Sequence, residues 1–136
     1  MGVLASIVDK SISGNFSSDL FFNVKGDAFR SCNDLTEVSF PNATSIGTYA
    51  FSYCSGLTEV SFPNATSIGN SAFYYCNGLT TIYIGANSSK VCTLSSTSAF
   101  NGCTKLNNIY VPASLVNSYK SATNWSSYAD KIKAIP

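Results

Sequence analysis

Cysteine and glutamate are the residue types of this chain whose spacing could carry chemistry. Cys32, Cys54 and Cys76 recur every 22 residues, Cys103 follows 27 later, and Cys92 stands out of phase. A zinc site needs four sulfurs converging on one point at about 2.3 Å, whereas sulfurs one chain period apart form a line. If successive periods stack at the ~4.8 Å spacing of paired strands, Cα distance alone permits a disulfide between neighbours. Parallel, inward-pointing side chains and an odd total of five favour small buried thiols filling a core instead. Cys92 is then the thiol expected at the surface, with no adjacent base or cation to make it reactive. Glu37 and Glu59 also lie one period apart and should be close neighbours. Two such carboxylates could serve acid–base chemistry or bind a cation. Their flanks are Thr and Ser and nothing encloses them, so they read as solvated surface groups. The chain has no histidine, which removes the commonest general base, the Ser–His and Cys–His nucleophile pairs and the commonest transition-metal ligand. No catalytic residue, metal or cofactor is therefore assigned, and the chain is read as a non-enzyme.

These residues are positioned by an internal repeat. The stretch from Ala28 to Gly47 returns almost letter for letter from Ala50 to Gly69. A third copy opens at Ala72 with Phe73, Cys76, Leu79, Ile82 and Ile84, and a fourth at Ala99 with Phe100, Cys103, Leu106, Ile109 and Val111. The extra residues before the fourth copy fall in the Ser-rich stretch 87–98, expected as a bulging loop. Upstream the pattern fades, with Val24 in the phase of Ile46 and Ile68, which marks a degenerate first coil. A unit of 22 residues cannot bury its own apolar face, so neighbours must stack. Within a unit, Val38 and Phe40 alternate with Glu37 and Ser39 as in a half-buried strand. Pro41 stops that strand, Ile46-Gly47 suits a second short extended piece, and Ala50, Phe51 and Cys54 share one face of a single tight helical turn.

Both ends of a stack need caps. Pro112 can open a helix, Leu115, Val116, Tyr119 and Ala122 form its apolar stripe, and Trp125 and Tyr128 supply lids. Ile132 and Ile135, flanked by Lys131 and Lys133, suit a last short strand. Val3, Leu4, Ile7, Val8 and Ile12 suggest a short amphipathic helix at the other end. The expected organisation is one domain over 1–136: a cap at 1–15, four to five coils over 16–111 and a second cap at 112–136.

Units reading A-F-x-x-C-x-x-L-x-x-V-x-F-P…I-G resemble the BspA-like, or Treponema-type, leucine-rich repeats, from about Phe16 to the C-terminus. The C-terminal V-P-x-x-x-V-x-x-Y-K…Y-x-x-K-I segment shares the resemblance. It implies a right-handed leucine-rich-repeat solenoid with one parallel concave sheet; with the short helical turns and the helical caps at both ends that the spacing suggests, the expected fold is of α/β class, rich in β. The resemblance also implies a bacterial, archaeal, protist or phage setting and, commonly, an extracellular or cell-surface protein with an adhesive role.

Charged residues are only 11% of the chain and the net charge is +1, against about 25% charged in average soluble proteins. No long-range field or basic cluster exists to attract nucleic acid. No apolar run reaches the roughly 20 residues of a membrane span, and the first residues lack the basic start of a signal peptide. In register, the exposed strand positions read Thr36, Thr58, Thr80, Asn107; then Glu37, Glu59, Thr81, Asn108; then Ser39, Ser61, Tyr83, Tyr110. The candidate ligand-binding face is Thr36, Glu37, Ser39, Thr58, Glu59, Ser61, Thr81, Tyr83, Asn108 and Tyr110. The tyrosines fit a contact surface and ordinary cross-strand packing equally well. Tyr49, Tyr53, Tyr74 and Tyr75 belong to the turn side, part packing and part exposed. The expected role is a monomeric module that binds a protein or glycan. The alternative is a structural spacer or decoration domain, in a surface appendage or a phage particle, with no dedicated ligand.

Overall fold

The computed structural model describes residues 3–4, 13–19 and 22–136. Long and short strands alternate along the chain and collect into two parallel sheets. The long strands are β2 (Gly14–Ser17), β4 (Leu35–Ser39), β6 (Glu59–Phe62), β8 (Thr81–Ile84), β10 (Asn108–Val111) and β11 (Ile132–Ala134), stacked as a six-stranded sheet in the order β11-β10-β8-β6-β4-β2. The short ones are β1 (Val3–Leu4), β3 (Asn23–Val24), β5 (Ser45–Ile46), β7 (Ser67–Ile68) and β9 (Thr93–Leu94), which pair in chain order as a five-stranded sheet. The second extended piece of each coil is thus itself a ladder, beside the single sheet that the family resemblance implies.

The register follows the sequence period. Val38 lies against Val60, Val60 against Ile82, and Ile82 against Ile109, while Ile46 lies against Ile68 and Ile68 against Leu94. Side chains of equal phase therefore stack into columns. Phe29, Phe51, Phe73 and Phe100 stack with ring centroids 5.1, 5.3 and 5.6 Å apart and planes within 12°. Phe40 and Phe62 form a second column at 6.0 Å. All these rings are buried, and each fully buried one contributes about 1.5–3 kcal/mol by leaving water.

The Ala-Phe-x-x-Cys segment differs from the helical turn its spacing suggests. Phe29, Phe51 and Phe73 each donate their amide to the next coil, to Ala50, Ala72 and Ala99 oxygens at 2.7–2.9 Å. Of the described segments in this phase, Thr97–Phe100 alone forms a 3-10 helix. The reason lies in the backbone: Tyr49 and Tyr53 (φ 59° and 62°) and Ser71 and Tyr75 (56° and 55°) are left-handed, which breaks a helix and turns alternate amides along the stack. Glycine is required where coils come closest. A Cβ on Gly69 would lie 2.6 Å from the Thr48 nitrogen and 2.8 Å from the Gly47 carbonyl carbon.

At the C-terminal end, Pro112 precedes a 3-10 turn at Ala113–Leu115 that runs into α1 (Val116–Ser121), and a kinked 3-10 segment Trp125–Lys131 leads to β11. Tyr119 and Trp125 are buried and meet edge to face at 5.2 Å. At the other end Val3–Leu4 is a strand paired with Asn23–Val24, where a helix was expected; Ile7, Val8 and Ile12 lie outside the described residues. Gly14–Ser17, on the boundary of the expected cap, already pairs with β4.

Candidate functional site

The outer face of the six-stranded sheet carries the residues singled out in the sequence, in the expected rows. Glu37 is aligned with Glu59 and Glu59 with Thr81; Thr81 is aligned with Asn108. Ser39, Ser61, Tyr83 and Tyr110 form the next row, which ends on Lys133. The Tyr83 and Tyr110 rings stack at 5.1 Å, and both are half-buried rather than covered. Partial burial, and then the neighbouring Glu59 carboxylate and Tyr110, push the Tyr83 phenol above its ordinary value. Asn15 donates to Glu37 at 3.2 Å. Lys133 donates to the side chain of Asn108 at 2.6 Å and to the Asn107 carbonyl at 3.1 Å. The face is therefore acidic over β4 and β6, aromatic over β8 and β10, and basic at β11.

Several repeated polar residues face along the stack rather than outward. Thr58 donates its hydroxyl to the Thr36 carbonyl and Thr80 to the Thr58 carbonyl, both at 3.1 Å. On the short-strand side, Thr44 and Thr66 do the same to Phe22 and Thr44 oxygens. The Asn42 and Asn64 amides donate to Asp19 and Pro41 carbonyls at 2.8 and 2.7 Å. Sequence reasoning missed these ladders, although the Asn-Ala-Thr repeat was their signal. One coil alone offers these side chains no partner; the preceding coil supplies it.

The cysteine column is the same device in sulfur. Cys54, Cys76 and Cys103 donate thiols to the carbonyls of Phe29, Phe51 and Phe73 in the preceding coil, at 3.1, 3.0 and 3.1 Å. The Phe51 and Phe73 oxygens also accept the amide of their own coil's cysteine, at 3.2 and 3.1 Å, so both lone pairs of each carbonyl are used. No disulfide forms, and all five cysteines are buried. Cys92 is among them, which corrects the expectation of a surface thiol. Its amide is bonded to the Tyr119 hydroxyl at 2.9 Å and its carbonyl to the Trp125 indole at 2.6 Å, and β9 carries the inserted segment into the second sheet. Burial pushes the Cys92 thiol up to about 12. It does the same to Cys103, against a lowering hydrogen bond from the chain at Cys76. Neither is a nucleophile at neutral pH.

Two of the surface depressions among the described residues bear on a candidate site. One, of about 480 Å³, lies between the inserted segment and the C-terminal cap and includes Cys92, Leu94, Asn124 and Trp125 in its lining. Its convergent polar groups are already bonded, Asn124 to the Leu94 carbonyl and Trp125 to that of Cys92. The other, of about 420 Å³, is an open groove on the turn side lined by Ser31, Asn33, Tyr53, Ser55, Tyr75 and Asn77. Among the described residues no group of three or more acidic or cysteine side chains is gathered as a metal site, and no helix is long and apolar enough to cross a membrane.

The sequence matches the family described as a BspA type leucine rich repeat region over residues 23–133, in six copies. A leucine rich cell surface protein of Faecalibacterium prausnitzii A2-165 has a similar structure, with a TM-score of 0.52 and 20% identity over 89% of this chain and 36% of that one. The leucine rich repeat protein of T. pallidum is similar at a TM-score of 0.50 and 20% identity, over 82% of this chain and 64% of that one. This chain therefore spans less than two thirds of either protein. No curated protein matches it.

Proposed function

The chain belongs to the BspA-type leucine-rich repeat family, and from that membership we propose that it is a non-catalytic binding module of a bacterial surface or secreted protein. The surface setting is suggested by the Faecalibacterium protein of similar fold, which is itself a cell surface protein. The face of the six-stranded sheet is the proposed site for a protein or glycan ligand, and the chain acts as a monomer. One observation carries this reading: Tyr83 and Tyr110 are stacked at 5.1 Å on the open face, between an acidic end at Glu37 and Glu59 and a basic end at Lys133. Stacked aromatic rings supply contact area at low conformational cost, and flanking charges of opposite sign orient a partner.

The test is a Tyr83→Ala, Tyr110→Ala double variant, screened beside the native chain on a glycan array and a panel of extracellular proteins. The expected outcome is loss of at least one of the native chain's ligands, with a melting temperature nearly unchanged. Undiminished binding removes this face from consideration. The spacer or decoration reading draws on the Thr and Asn ladders, which use much of the repeated polarity for stacking. It predicts that the native chain binds nothing in either screen.

A further inference from the structure

A second face of the molecule has features that stacking does not require. Ser31, Tyr53, Tyr75 and Gly102 occupy one phase of the repeat, and all four are left-handed, with φ of 63°, 62°, 55° and 83°. That geometry suits glycine, which the chain uses at Gly102. At the two central coils it places tyrosine there instead, a bulky side chain that rarely adopts this conformation. The rings nonetheless stay open to solvent on part of their surface: Tyr53 is 42% and Tyr75 46% exposed. They lie parallel within 6° at 5.8 Å. Tyr74 braces both edge-on, at 5.7 and 4.6 Å. Arg30 lies over the Tyr49 and Tyr53 rings at 5.0 and 5.8 Å and is itself paired with Asp27 at 3.1 Å. Gly102 makes room for the last ring, since a Cβ there would meet the Tyr75 ring at 2.6 Å.

Two residues from each of three successive coils line the groove beside these rings. None of the six is charged. Among the described residues, the side chains of Ser31, Asn33, Ser55 and Asn77 make no hydrogen bond, which leaves hydroxyl and amide groups beside the aromatic pair. The amides of Ser31, Tyr53 and Tyr75 are already bonded to Ser52, Tyr74 and Asn101 oxygens, so no free edge invites an added peptide strand. We propose that this turn-side groove is a binding site for an extended, uncharged oligosaccharide, distinct from the sheet-face site. Pyranose rings present C–H faces to the tyrosines and hydroxyls to the asparagines and serines. The coils repeat at ~4.8 Å, close to the advance of one sugar unit along an extended glycan, so successive sugars meet equivalent positions.

The test uses the full chain and three neutral probes, cellohexaose, chitohexaose and maltohexaose, titrated by NMR chemical shift. Tyr53→Ser and Tyr75→Ser are the variants, because serine already occupies this phase and conformation at Ser31; their melting curves verify folding. The expected result is saturable binding of at least one probe, with shifts centred on Asn33, Ser55 and Asn77. Each variant should weaken it about tenfold, and the Tyr83→Ala, Tyr110→Ala variant should leave it unchanged. No binding of any probe at millimolar concentration overturns the proposal. So does binding that survives both serine variants, or binding lost only in the sheet-face variant. A hexaproline peptide, the other common ligand of aromatic-lined grooves, is the control; its binding at these residues in the absence of oligosaccharide binding assigns the groove to peptide and also overturns the proposal.

Discussion

Replacing Phe51 with alanine removes a ring that lies parallel between Phe29 and Phe73, at 5.1 and 5.3 Å, and tilted against Phe62 at 5.9 Å. The ring is fully buried, and the ladders above and below hold the coil spacing, so the void cannot collapse. A Phe→Ala change at such a site costs about 3–5 kcal/mol. With an unfolding entropy of about 2.1 cal/mol/K per residue over 136 residues, each kcal/mol lowers the melting temperature by about 3–4 °C. Phe51→Ala should therefore melt about 10–18 °C below the native chain by circular dichroism. Tyr53→Gly, two residues along, is the control. It loses ring contacts worth about 0.5–1.5 kcal/mol and adds the glycine entropy cost of about 0.5–1 kcal/mol. It also relieves a left-handed backbone that costs a side-chain-bearing residue about 1–2 kcal/mol. With its partial burial also lost, Tyr53→Gly should still be destabilised by less than half as much as Phe51→Ala, and its melting temperature should fall correspondingly less. Equal destabilisation by the two substitutions would refute the reasoning, because it would mean that phase within the coil does not decide burial.

Gly69→Ala should be destabilising by about 1–3 kcal/mol by urea titration, although alanine ordinarily stabilises a loop, because its Cβ meets backbone of the preceding coil at 2.6 Å. The native chain should show no thiol reactive to Ellman's reagent at neutral pH and five after unfolding, since all five are buried and free. Stability should fall at alkaline pH. The Cys92 and Cys103 thiols are raised to about 12 by burial, so the folded chain holds protons that the unfolded chain releases above about 8.5. Their contribution is full below that value and is lost as pH climbs toward 12; Cys103→Ala should flatten the slope of stability against pH between these limits. Trp125→Phe removes the indole bond to the Cys92 carbonyl and should cost about 1–3 kcal/mol through the buried, unpaired oxygen, with earlier amide exchange in 92–94.

The periodic features were legible because each coil repeats them. Phe29, Phe51, Phe73 and Phe100 share one phase and form one column, and Thr36, Thr58 and Thr80 fall in one row. What escaped the sequence depends on partners outside one coil. The inserted segment looks like a polar loop with a surface cysteine, and nothing local tells that Tyr119 and Trp125, from the C-terminal cap, close over Cys92. The thiol bonds run from Cys54, Cys76 and Cys103 to a phenylalanine carbonyl of the coil before, a pairing visible only once the coils are stacked. The spacing of the Ala-Phe-x-x-Cys turn suggests a helix, but alternate amides point along the stack because Tyr49 and Tyr53 hold left-handed backbones. The alignment of Glu37 with Glu59 and of Tyr83 with Tyr110 follows from the sequence period; that Thr58 and Thr80 hydroxyls face the neighbouring coil follows from the register. The turn-side groove gave one signal in sequence, the recurrence of tyrosine at positions 53 and 75, with glycine in the same phase at 102.

Nuclear Overhauser contacts between aromatic ring protons test the stacking most directly. Residue-selective labelling of phenylalanine should connect Phe29 with Phe51, Phe51 with Phe73, and Phe73 with Phe100, at the separations of 5.1–5.6 Å between ring centres. No direct contact should join Phe29 to Phe73, two coils apart. A missing link between consecutive rings in a folded sample, or a contact that skips a coil, would contradict the account.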